Sequence, residues 1–179
     1  NWFGLQFGIK KNNMFLSNDL LNIEFNWTDH RIYRHKFNVN DYYSYGYPVG
    51  FWAGPHAEEL YMDYAFDIGE NKVELMYSDA RRGKLTEIML EEQYCWPDEC
   101  SPDMISTYDR FDGIVESKKI IKLSLIRRMT ANINTSISIS HIDWKNSGGK
   151  FVPDSSSLLT IETNDVIKNS LDFKILYSF

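Results

Sequence analysis

Leu171-Asp172-Phe173-Lys174-Ile175-Leu176-Tyr177-Ser178-Phe179 ends the chain, and every second residue in it is apolar. Leu171, Phe173, Ile175, Tyr177 and Phe179 fall on one side, with Asp172, Lys174 and Ser178 among the residues between them. A period of two is that of a β-strand with one apolar face. The same period recurs upstream. Phe3, Leu5, Phe7 and Ile9 alternate with small or polar residues, and Leu21, Ile23, Phe25 and Trp27 alternate with Asn22, Glu24, Asn26 and Thr28. Leu60, Met62, Tyr64 and Phe66 form a third set, joined through Gly69-Glu70-Asn71 to Val73, Leu75 and Tyr77 as a hairpin. Ile121, Leu123 and Leu125 mark a strand over about 117–128, and Ile137 and Ile139 one over about 133–144. The pattern predicts seven antiparallel strands and an all-β fold.

The spacing between the strands narrows the class. Connections near 12–19, 68–72 and 130–132 are short, those near 30–57, 83–114 and 145–168 are long, and the two kinds alternate. Short turns at one end and long surface loops at the other are the signature of an antiparallel transmembrane β-barrel. The terminal strand resembles the C-terminal recognition signal of bacterial outer-membrane barrels, which implies that Phe173, Ile175, Tyr177 and Phe179 are read by the barrel-assembly machinery. With the short turns periplasmic, strand one and strand seven both run downward and Phe179 ends in the periplasm. Residues 157–165 are expected to be extracellular loop or an extension of strand seven. Single-chain bacterial barrels have even strand numbers. We therefore expect residues 1–179 to form one domain, the C-terminal portion of a larger barrel whose N-terminal strands lie upstream of Asn1. In this arrangement the apolar faces meet outer-membrane lipid and lipopolysaccharide, while Gln6, Asn22, Glu24, Asn26, Asp63 and Asp67 line a hydrated lumen.

Composition agrees with a folded chain. Of 179 residues, 43% are hydrophobic and 15% aromatic, too many for a disordered chain. A net charge of −6 without a basic patch argues against nucleic acid as a partner. The longest apolar runs are three residues, as in Met14-Phe15-Leu16, whereas a membrane-spanning helix needs about 20.

A second resemblance lies between His30 and Arg82. Gly46-Tyr47-Pro48-Val49-Gly50-Phe51-Trp52-Ala53-Gly54-Pro55-His56-Ala57-Glu58-Glu59-Leu60-Tyr61 is followed by a strand, a turn, a second strand and Arg81-Arg82-Gly83. This resembles the capsule assembly (Wzi-type) outer-membrane family, in which a Gly-x-x-x-Gly-Pro-x-Ala-x-x-Leu-Tyr-like stretch precedes a barrel strand and an Arg-Gly pair closes the next hairpin. The resemblance implies an outer-membrane barrel that binds capsular polysaccharide and helps attach it at the cell surface. The rival expectations are a porin-like or substrate-specific channel, with the polar lumen as its path, and a soluble β-sandwich.

The residues suggest where a glycan would bind. Sugars need flat apolar faces and a few directed hydrogen bonds. A loop shaped by Gly50, Gly54 and Pro55 would present Trp52, His56, Glu58 and Glu59 at the barrel mouth, with Tyr47 nearby. Trp52 equally suits an interfacial anchor. Adjacent Arg81 and Arg82 must point to opposite faces, and they suit either acidic sugars or the neighbouring Asp and Glu side chains. Cys95 and Cys100 are expected to pair in an oxidising compartment, closing a loop of about six residues for about 2 kcal/mol. No metal site is expected, because His30, His35, His56 and His141 lack ligand spacing and zinc wants four ligands; no cofactor is expected either. Acidic Asp98, Glu99, Asp103, Asp109 and Asp112 suit a solvated loop or a bridging divalent cation. An enzyme is not expected: Ser140 and His141, neighbours in a strand, face opposite ways and cannot act as nucleophile and base.

Overall fold

Backbone groups of a sheet strand are satisfied by a neighbour on each side, and the seven alternating segments supply one another except along the outer edges of the first and the last, where the sheet is open. The computed structural model describes residues 3–29, 32, 43–44, 47–48, 51–83, 111, 114–147 and 164–177. Its strands are β1 (Gly4–Asn12), β2 (Leu20–Thr28), β3 (Tyr43–Ser44), β4 (Tyr47–Pro48), β5 (Ala57–Ile68), β6 (Asn71–Gly83), β7 (Val115–Arg128), β8 (Ile133–Ser147) and β9 (Asn164–Tyr177). Seven of them form one sheet in the order β1-β2-β5-β6-β7-β8-β9, every pair antiparallel, and β3 and β4 make a separate two-residue ladder. The fold is all-β, with no helix among the described residues.

Two boundaries differ from the sequence reading. β8 runs to Ser147 and β9 starts at Asn164, so residues placed in a loop over 145–168 are partly strand. Polar contacts hold this extension where no apolar alternation marks it. The Asn146 amide donates to Asp165 Oδ1 (2.9 Å) and Ser147 Oγ to the Asn164 carbonyl (2.7 Å), around a bulge between Trp144 and Ser147. The second difference is the β3–β4 ladder inside the expected 30–57 loop.

The short turns are specified by side chains. Asp19, buried beneath its turn, accepts the amides of Met14 (2.6 Å), Phe15 (2.8 Å) and Leu16 (2.9 Å) and the Tyr64 hydroxyl (2.7 Å). Burial of the carboxyl acts to raise its pKa, but these four hydrogen bonds outweigh it and hold the group at about 2. Gly69, at φ +59°, opens the two-residue β5–β6 turn in a left-handed conformation that suits glycine. Thr130 Oγ1 accepts the Ile133 amide (3.1 Å) to close β7 to β8.

The two faces of the sheet differ in character. One face carries Phe7, Phe25, Leu60, Leu75, Leu123, Ile139, Leu171 and Phe173, and it is the exposed face: Phe7 keeps 67% of its surface and Leu171 72%. The other face is mainly polar, and on the central strands it is the more shielded one, whereas on β1 and β9 both faces are exposed. Glu59, Ala65, Ser78, Ala80, Glu116, Ser124 and Ser138 are all buried there.

The apolar cluster also moves diagonally. A row of cross-strand partners runs Phe7, Phe25, Leu60, Asp79, Lys119, Asp143, Ile167. On β1 the cluster Leu5, Phe7, Ile9 centres on that row. On β9 it comprises Leu171, Phe173, Ile175 and Tyr177, centred on position 174, seven residues beyond Ile167. The drift is toward the short-turn end.

Candidate functional site

The site is assembled at the long-loop end of the polar face. There the turn 51–56 folds inward and is fixed by Thr28, whose hydroxyl donates to the Gly54 carbonyl (2.8 Å) and accepts the Ala57 amide (3.1 Å). The Gly54 amide bonds back to Phe51 O (2.9 Å), with Gly54 at φ +74°. Arg82 Nη1 donates to the Ala53 carbonyl (3.3 Å), so the turn is held from the sheet side as well. These bonds leave Trp52 over the polar face with 45% of its surface open.

Beneath Trp52 lies a charged and aromatic cluster built by register. Arg82 and Glu116 are cross-strand partners, as are Ala80, Lys118 and Trp144 along the adjoining row. Glu116 is 5% exposed and both its oxygens are occupied: Oε2 by Arg82, whose Nε stands at 2.7 Å, and Oε1 by the Trp144 indole N–H at 2.6 Å. A carboxylate removed from water requires such charge-assisted bonds. Lys118 Nζ sits between two indoles, 5.0 Å from the Trp52 ring and 4.3 Å from that of Trp144. Trp52, Ala53, Ala80, Arg81, Arg82, Glu116 and Lys118 line a shallow cleft of about 10 Å³, room for one water, so a larger ligand would rest on its rim rather than inside it.

The residues singled out from sequence are divided by the sheet. Trp52 and Arg82 share the cleft. Glu59 is on the same face but buried, where it accepts Ser78 Oγ (2.7 Å) and Asn26 Nδ2 (3.5 Å), so it supports the strands rather than the mouth. Glu58 and Arg81 lie on the opposite, apolar face and pair with each other, with the Arg81 guanidinium 5.3 Å from the Phe111 ring. The expectation that Glu58 joins Trp52 is therefore corrected by strand parity: Glu58 and Glu59 must point opposite ways. His56 is corrected as well. It is buried at 1% exposure, packed edge-on to Phe111 (5.7 Å) and so close over Gly83 that a Cβ there would lie 2.1 Å from its ring. Tyr47 lies in β4. Phe173, Ile175 and Tyr177 stand exposed on the apolar face of β9. Phe179, Cys95 and Cys100, with acidic Asp98, Glu99, Asp103, Asp109 and Asp112, lie outside the described residues.

Ser140 and His141 face opposite ways, the first to Ser170 Oγ (2.7 Å), the second to Asn169 Oδ1 (2.7 Å). Among the described residues no group of three His, Cys, Asp or Glu is arranged to hold a metal. Glu116, Lys118 and Trp144 escape the sequence reading. Their signal is positional: Trp144 shares its parity with Ser136, Ser138 and Ser140, an indole on the serine-bearing side of the strand.

Comparison with protein-family models, with curated proteins and with solved structures finds no match to this chain.

Proposed function

We propose that this sheet is part of an outer-membrane β-barrel that binds capsular polysaccharide at the bacterial surface, through the cleft under Trp52, and helps assemble or attach the capsule there. The observation that carries the reading is the diagonal apolar band. A drift of seven residues, at about 3.4 Å each, is about 24 Å along the strands; six strand spacings of about 4.8 Å are about 29 Å across them. A band level with a bilayer then requires strands inclined by about 40°, inside the range of about 35–45° in membrane barrels.

The sense of the drift supports the same arrangement. The Asn13 amide donates to the Asp19 carbonyl, so odd-numbered residues of β1, which carry its apolar side chains, direct their backbone bonds toward β2. For L-residues, viewed from the apolar face with the long loops upward, β2 then lies to the left of β1. A band drifting toward the short turns from right to left makes the strands lean rightward, the coil of a right-twisted barrel seen from outside. With the apolar face inside, the coil would have the wrong hand.

Charged side chains bound the band. Glu58–Arg81 and Asp79–Lys119 (3.5 Å) pair above it and Arg127–Glu70 (3.3 Å) below it, where headgroups would lie. A sandwich needs a partner for the apolar face. Among the described residues the second sheet is β3–β4, two residues per strand, too small to cover seven strands.

For the glycan, support comes from Trp52, held open above the ion pair, and from the resemblance to capsule-assembly proteins of the sequence in which it lies. Replacing Trp52 by Ala tests this in cells that make capsule. Retention should fall by about 1–3 kcal/mol in binding terms, the burial of one large side chain, with the barrel still folded. Full retention on a folded mutant would remove the glycan site. Single-channel recording of the protein separates the rival channel reading: steady open conductance would favour a pore.

A further inference from the structure

The two arginines expected to meet an acidic sugar are both committed, Arg81 to Glu58 on the apolar face and Arg82 to Glu116 in the cleft. Arg82 and Glu116 cancel each other's charge. Lys118 is what remains: it has no carboxylate or hydrogen-bond acceptor among the described residues, and its ammonium is flanked by the rings of Trp52 and Trp144. We propose that the Trp52–Lys118–Trp144 stack is a subsite for an anionic sugar unit, in which the Lys118 ammonium meets a uronic acid carboxylate. This rests on the polysaccharide reading above and adds to it the charge of the ligand.

The geometry suits that task in three ways. Ring faces at 4.3 and 5.0 Å hold the ammonium by π-attraction but supply no oxygen acceptor, so an N–H turned to neither ring is left for an oxygen ligand. Trp144 is in turn anchored, because its N–H is bonded to Glu116 (2.6 Å), and Glu116 is fixed by Arg82. The lysine is therefore placed by a rigid chain of contacts rather than by its own flexible stem, which lowers the ordering cost of binding. Finally, Trp52 has nearly half its surface open beside Lys118, so a sugar whose carboxylate reaches Nζ can lay its C–H face on the indole. A neutral sugar would gain the stacking and lose the charge-assisted bond.

The test uses the full chain folded in detergent micelles, with oligogalacturonate and its fully methyl-esterified form as probes and tryptophan fluorescence as the readout. The acid should bind about tenfold or more tightly than the ester, the scale of one hydrogen bond to a charged group. Lys118→Gln should abolish that preference, and Lys118→Arg should keep it. Heat-modifiable mobility on gels verifies that each variant is folded. Equal binding of acid and ester by the wild type, or an acid preference that survives Lys118→Gln, would overturn the anionic subsite and leave the polysaccharide reading standing. Binding of neither probe, with Trp52→Ala also retaining capsule in cells, would overturn both.

Discussion

Leu123→Arg is the substitution on which a lipid-facing and a water-facing sheet disagree most. Leu123 is the central apolar residue of β7, between Leu75 and Ile139 in register, and the charged residues on its own face are Lys119 and Arg127, four positions away on each side. Four residues are about 13 Å of strand, and at an inclination of about 40° they place Leu123 about 10 Å from each charged row, below one and above the other. A guanidinium there is near the middle of the apolar layer, where charge on the lipid face costs about 2–4 kcal/mol. On a face bathed in water the same exposed position would cost about 0.5 kcal/mol or less. The assay is urea unfolding of the protein in phospholipid vesicles, followed by tryptophan fluorescence, with Leu123→Ala to separate lost packing from added charge. Lys122→Gln, on the polar face, is the parity control and should change stability by less than about 0.5 kcal/mol. If Leu123→Arg left the protein no less stable than Leu123→Ala does, the lipid-facing assignment would be refuted.

Other expectations follow from single contacts. Asp19 is held at about 2 in the fold against an ordinary value near 3.8. Its carboxylate therefore contributes stability above pH of about 4 that is lost as the pH falls through about 2; Asp19→Asn should remove this acid-range dependence, read as turn-amide exchange between those limits. Gly83→Ala must displace the His56 ring, and a loss of about 1–3 kcal/mol is expected for overpacking, with wild-type stability as the contrary result. Deleting Phe179 should lower the folded, heat-modifiable fraction in outer membranes, and unchanged folding would separate the terminal residue from assembly. A non-reduced digest should yield a Cys95–Cys100 linked peptide; two free thiols in protein from an oxidising compartment would contradict the loop assignment.

Strand positions were legible because period two is a local property. Leu21, Ile23, Phe25 and Trp27 announce β2 whatever lies beside them, and the seven sheet strands fall where such alternation falls. The ends of β8 and β9 were not legible, since Asn146, Ser147, Asn164 and Asp165 are held by polar contacts between strands that a single strand does not display. Parity alone separates Glu58 from Glu59 and Arg81 from Arg82, yet it does not say which of each pair is bonded to what. That depends on register: Arg82 opposite Glu116 and Lys118 opposite Trp144 arise from pairings between residues 34 and 26 positions apart. The burial of His56 depends on the absence of a side chain at Gly83, again a distant residue. The cleft is thus a product of pairing, and Glu116, Lys118 and Trp144 carry no motif in the chain.

The central claim is that the apolar face of this sheet meets lipid while its polar face does not. Spin labels placed singly at positions 119 to 127 of β7, in the protein reconstituted into phospholipid vesicles, measure it directly through collisions with oxygen, which concentrates in lipid, and with a water-soluble nickel complex. Oxygen access should alternate with period two, high at 121, 123 and 125 and low at 120, 122 and 124, with the nickel complex excluded from the first set. Nickel access at 121, 123 and 125 equal to that in solution would contradict the account.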